Sequence, residues 1–156
     1  MTGQNIKNHT NSIEQFKSLL KKHSLKATAQ RLAVHEAMIQ LGHASADMVT
    51  DAIRQKGETR VTVATVYNIL SQLALFGVYD YRMSSNNKMY FDVNTFPHIH
   101  IYDREAHQYR DLMDDDLMNM IHERLRHKRF RGFKVEHIDI QLVGVPSKKK
   151  YQAAKQ

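Results

Sequence analysis

The chain of 156 residues contains no cysteine. Disulfides, thiolate zinc ribbons, thiolate-held iron–sulfur clusters and a cysteine nucleophile are therefore excluded. No apolar run reaches the roughly 18 residues of a membrane span, so no membrane partner is expected. Residues 1–11 are polar and lack the apolar core of a secretory signal, which makes the cytoplasm the expected location. Proline occurs only twice. Pro97 follows Asn94-Thr95-Phe96 and reads as a linker, while Pro146 ends the last apolar run before Lys148-Lys149-Lys150.

What is present fits a folding chain: 42% hydrophobic and 25% charged residues. The length suits one domain or two small ones, at roughly 100–200 residues per domain. The formal net charge is +7. It is spread over the chain, with eleven Lys+Arg against seven Asp+Glu up to Asp92, and twelve against nine beyond it. A basic balance admits nucleic acid as a partner. Ten histidines in a cysteine-free chain point to metal binding through nitrogen and oxygen donors.

The first half reads as four helices and a hairpin. Ile13, Phe16, Leu19 and Leu20 share one helical face. Thr28, Ser45 and Thr62 are candidate N-caps for three further helices, closed by Gly42, Gly57 and Gly77. Residues 78–83 and 88–93 are β-rich and are joined by Ser84-Ser85-Asn86-Asn87, a hairpin signal. Helices followed by a two-stranded hairpin form the plan of a winged helix-turn-helix. The second half reads as strands at 98–103 and 107–112, a helix over 112–130 and an alternating strand over 133–145. The expected fold class is α+β: a winged helix-turn-helix domain over 1–93, a hinge at 94–97 and an α/β dimerisation domain over 98–156. Disorder is expected at 1–11 and 147–156. A unit of about 60 residues is marginal alone, so a homodimer is expected to cover the apolar face with Met113, Leu117, Met120 and Ile121.

On the helix over 63–76 the side opposite the apolar arc carries Ala64, Asn68 and Ser71, flanked by Thr65, Tyr67 and Gln72. Such a small, uncharged, hydrogen-bonding face suits the DNA major groove, where amides pair with adenine and apolar groups touch thymine methyls. An ordinary solvated face is the plain alternative. Lys26 and Arg31 stand where they can meet phosphates or a minor groove. The run Arg124, Arg126, His127, Lys128, Arg129, Arg131 is better explained by cations at a helix C-terminus.

In His98-Ile99-His100, positions i and i+2 of a strand project to one face, so both imidazoles can converge on one ion. Asp92 before them and Asp111 after them add carboxylates. His43 lies in a turn between helices, and spacing alone does not say that it joins them. Such donors suit Fe²⁺, Mn²⁺ or Zn²⁺. Asp103, Glu105, His107 and His137 are a second candidate set. His35 reads as a surface residue, His23 as exposed, and His122 and His127 as solvated.

These pieces together resemble the ferric uptake regulator (Fur) family. The matching stretches are Leu25-Lys26-Ala27-Thr28-Ala29-Gln30-Arg31, His43-Ala44-Ser45-Ala46-Asp47, Ala64-Thr65-Val66-Tyr67-Asn68-Ile69-Leu70, Lys88 to Asp92, and His98-x-His100. The likeness runs from about Leu19 to Val145. It implies a dimeric, metal-dependent transcription factor with the regulatory metal on His43, Asp92, His98, His100 and Asp111. Aspartate at the two carboxylate positions resembles the peroxide-responsive branch. The family's base-contacting tyrosine falls on Tyr67, its minor-groove lysine on Lys26 and a nearby arginine on Arg31.

Three departures stand out. Asp103 and Ala106 occupy the first C-x-x-C pair and the second pair is missing, so the family's thiolate zinc site cannot exist. Asn68 replaces the usual arginine, and Ile99 replaces the carboxylate of an additional metal site. The expected function is a metal-responsive, sequence-specific repressor acting on double-stranded operator DNA, and not an enzyme. The alternatives are a haem-responsive or metal-independent regulator of the same fold, and a metallohydrolase built on His98-Ile99-His100-Ile101-Tyr102-Asp103.

Overall fold

A computed structural model describes residues 12–147. The expected disorder at 1–11 and beyond 147, with His9 and the lysine tail, lies outside the described residues. The chain divides into two compact units between Thr95 and Phe96.

Side-chain caps set the helix starts of the first unit. Helix α1 (Ile13–Lys22) begins with a reciprocal capping box between Ser12 and Gln15. Thr28 accepts from the Arg31 backbone N–H to start α2 (Ala29–Leu41), and Gly42 closes it at φ 72°. The next three residues form strand β1 (His43–Ser45), and Ser45 also caps α3 (Ala46–Lys56). Thr62 caps α4 (Val63–Leu75). Strands β2 (Asp80–Met83) and β3 (Met89–Asp92) form the hairpin, and Asn87 takes the positive φ of its turn.

The unit is a winged helix-turn-helix, with one correction to the hairpin. The turn holding His43 is itself a strand, so the wing sheet has three antiparallel strands in the order β1-β3-β2. Three buried residues are too few to show an alternating pattern in sequence. Phe16, Val34, Met38, Val49, Val66, Leu70 and Leu73 pack the core. Val63, the first residue of α4, and Phe76, its C-cap, are exposed apolar residues.

His35 is a second correction. It is fully buried, stacked on Phe16 with ring centroids 3.9 Å apart, and its Nδ1 lies 2.7 Å from the Tyr79 hydroxyl. Burial raises the Tyr79 phenol pKa above its ordinary range, so the hydroxyl stays protonated beside His35. His23 stacks on Phe76 at 4.6 Å and is half-buried, not exposed.

The second unit carries β4 (Ile99–Asp103), β5 (Gln108–Leu112), α5 (Asp115–Arg126) and β6 (Ile140–Gly144). Its sheet order is β5-β4-β6, antiparallel between β4 and β5 and parallel between β4 and β6, the parallel pair being joined by the long connection through β5 and α5. Helix α5 is shorter than 112–130 because Asp114 caps it late and the chain leaves the helix at His127. Lys128, Arg129 and Arg131 therefore lie beyond the helix. Strand β6 covers only the end of 133–145; a turn bridged by Phe130 and Phe133 takes up the start. Met118 is the buried anchor of α5, whereas Met113 and Met120 are exposed.

Candidate metal centre and nucleic-acid interface

In the first unit, antiparallel pairing sets His43 on β1 directly opposite Asp92 on β3. His43 Nε2 lies 3.0 Å from Asp92 Oδ2, and both side chains are buried. Arg82 on β2 brings Nη1 to 3.5 Å of the same oxygen. Oδ1 of Asp92 accepts the Asn94 backbone N–H at 2.8 Å, which fixes the carboxylate plane.

In the second unit, His98 and His100 flank Ile99, which enters the core with no exposure. Asp111 on β5 stands opposite His100. Its Oδ1 is 3.1 Å from His98 Nε2 and 4.0 Å from His100 Nε2. His98 Nδ1 lies 2.6 Å from the Phe96 carbonyl. A carbonyl oxygen only accepts, so Nδ1 carries the proton and Nε2 presents its lone pair. A lone pair facing a carboxylate oxygen at 3.1 Å requires either a second proton or a metal ion between them. The donor set in each unit is imidazole and carboxylate in buried surroundings, which fits a borderline divalent ion.

Asp139 escaped the sequence reading. Its Oδ1 is 3.5 Å from His100 Nδ1, close enough for the carboxylate to bear on the orientation of the ring. The signal lay in the parallel register that pairs His100 with Gln141, two residues after Asp139, and pairing is not readable from one strand.

The second candidate set does not assemble. Asp103 Oδ1 accepts the backbone N–H groups of Glu105 and Ala106 at 2.8 and 3.1 Å, closing the β4–β5 turn. His107 Nδ1 sits 3.1 Å from the Tyr102 hydroxyl. His137 is exposed. Among the described residues, these four form no metal-binding group.

On α4, Ala64, Tyr67 and Asn68 are exposed while Thr65 and Ser71 are half-buried. Tyr67 is 44% exposed, with its ring edge-on to Phe91. Lys26 is exposed ahead of α2. Arg31 is engaged within the unit: Nη1 donates to the Lys26 carbonyl and Nη2 to Gln72 Oε1, each at 2.9 Å. It ties the loop before α2 to the flank of α4.

No helix among the described residues is long and apolar enough to cross a membrane. No curated protein matches the chain. Solved structures do. The ferric uptake regulator of Vibrio cholerae is 22% identical over 84% of this chain and 99% of its own, with a TM-score of 0.71. That of Pseudomonas aeruginosa, solved with manganese, is 25% identical over 85% and 98%, at 0.67. The Campylobacter jejuni peroxide stress regulator is 29% identical over 85% and 97%, at 0.63. The model of the ferric uptake regulator family matches residues 22–143. With that match the metallohydrolase alternative falls: the chain belongs to the ferric uptake regulator family, whose members are metal-responsive transcription factors and not enzymes.

Proposed function

We propose that the chain is a homodimeric, metal-dependent repressor that binds operator DNA in the cytoplasm. The observation that supports this reading is an imidazole–carboxylate pair in each unit, His43 with Asp92 and His98 with Asp111, with both imidazoles buried, on either side of the 94–97 hinge. A divalent ion of the Fe²⁺, Mn²⁺ or Zn²⁺ class, when bound, supplies a positive charge that all five donors share. His43 and Asp92 fasten the DNA-reading unit. His98, His100 and Asp111 fasten the dimerisation unit. Holding both sets fixes the separation of the two α4 helices in the dimer, so that they match two operator half-sites. To turn a 1:99 population into 99:1, ligation must favour the clamped form by roughly 10⁴-fold, about 5.5 kcal/mol.

Tyr67, Asn68 and Ala64 read base edges, with Thr65 and Ser71 at the margin of the contact. Lys26 supplies backbone or minor-groove charge, and Arg31 acts through its hold on Gln72. The second unit buries few large apolar side chains, chiefly Ile99, Tyr102, Tyr109 and Met118. It exposes Met120, Phe133, Leu142 and Val143, each at about half or more. A second copy of the chain covers that surface. The test is metal analysis of protein purified without chelator, then DNA binding with each candidate ion. One ion per subunit and metal-dependent DNA binding are expected; metal-free protein that binds DNA equally well overturns the reading.

A further inference from the structure

Asp80 and Asp92 stand directly opposite each other on β2 and β3. Two carboxylates in such a pair repel. Arg82 follows Asp80 by two residues, and so shares its face of the strand. Its side chain is only 3% exposed, and arginine is almost never buried this far unless paired. The guanidinium lies between the two acids, with Nη1 3.5 Å from Asp92 Oδ2 and Nη2 3.9 Å from Asp80 Oδ2.

The carboxylate that Arg82 touches is the one the metal reading uses. Oδ1 of Asp92 is committed to the Asn94 N–H. Oδ2 faces both His43 Nε2 and the guanidinium. Arginine keeps its charge at any working pH, so a fixed cation shares the oxygen offered to the ion.

Resting on the assignment of His43 and Asp92 as ligands, we propose that Arg82 is a selectivity-determining residue that weakens the site for oxygen-preferring divalent ions. Two effects act in the same direction. The guanidinium charge repels any dication at Oδ2. It also leaves Oδ2 of Asp92 at most one lone-pair direction, so imidazole nitrogens dominate the donor set. Imidazole suits zinc and iron, whereas carboxylate oxygen suits manganese. Mn²⁺ therefore loses more than Zn²⁺ from the presence of Arg82.

The test is competitive titration of the full-length protein with Mn²⁺ and Zn²⁺, with folding monitored by circular dichroism. Arg82→Gln should bind Mn²⁺ about tenfold more tightly than wild type and Zn²⁺ only about twofold more tightly. Arg82→Lys keeps both the charge and an N–H donor for Oδ2, and should keep the wild-type Mn²⁺/Zn²⁺ ratio. Asp80→Asn with Arg82→Gln restores the local charge balance, and decides the matter if the single variant does not fold. It should still shift the ratio toward Mn²⁺ by about threefold. An unchanged ratio in folded glutamine variants, with wild type binding both ions, overturns the role of Arg82 alone. Wild-type protein that binds neither ion overturns the ligand assignment and this proposal together.

Discussion

His43 Nε2 and Asp92 Oδ2 lie 3.0 Å apart because β1 and β3 pair those two residues directly. The pairing alone brings the first half of the proposed metal site together. This half is therefore assembled by the folding of the DNA-reading unit itself. The His98, His100 and Asp111 half is likewise assembled within the sheet of the second unit.

Removing the two candidate imidazole ligands of the second unit, His98→Ala with His100→Ala, should weaken divalent-metal binding by more than about 100-fold while leaving a folded dimer. Isothermal titration and sedimentation measure the two properties. Unchanged affinity at one ion per subunit would show that the ion sits elsewhere.

Asp139→Asn should lower metal affinity by about 10- to 100-fold through loss of the charge that orients His100. The substitution keeps the shape of the side chain, so thermal stability of the metal-free protein should change little. An equal affinity in variant and wild type contradicts the orienting role.

His35→Ala should destabilise the first unit by about 2–4 kcal/mol, since it empties a buried site beside Phe16 and strands the Tyr79 hydroxyl. Tyr79→Phe leaves the ring in place and should cost about 1 kcal/mol. Urea denaturation reads both values. A His35→Ala cost below the Tyr79→Phe cost would mean that the stacked ring contributes no packing.

The dimer should survive chelator, because no thiolate zinc holds the second unit. Met120→Glu places a charge on an exposed position of α5 and should cost about 2 kcal/mol or more per buried glutamate at the subunit interface. Sedimentation velocity with and without EDTA checks both statements. Monomers produced by EDTA alone would reveal a metal in the interface.

Much of this architecture was legible in the chain. Thr28, Ser45 and Thr62 announce helix starts, and Gly42 and Gly57 announce ends, since caps are local chemistry. The His98-x-His100 face follows from strand period alone. The rest depended on pairing between distant segments. Strand β1 is three residues long, His35 needed Phe16 and Tyr79 to bury it, and Arg82 and Asp139 gain meaning only from their registers. On α5 the buried Met118 and the exposed Met120 lie two residues apart, on opposite sides of the helix.

The central claim is that ligation by both units switches DNA binding, and fluorescence anisotropy tests it most directly. The duplex is one selected from a random pool by the metal-loaded protein, and binding is read with Mn²⁺, with Zn²⁺ and with EDTA. The wild-type chain should lose at least about 100-fold in affinity on chelation. His43→Ala and His98→Ala, one from each unit, should bind weakly under all three conditions. Tyr67→Ala should lose about 1–3 kcal/mol on this duplex and little on random DNA. Equal wild-type affinity with metal and with EDTA, matched by His43→Ala, would contradict the account.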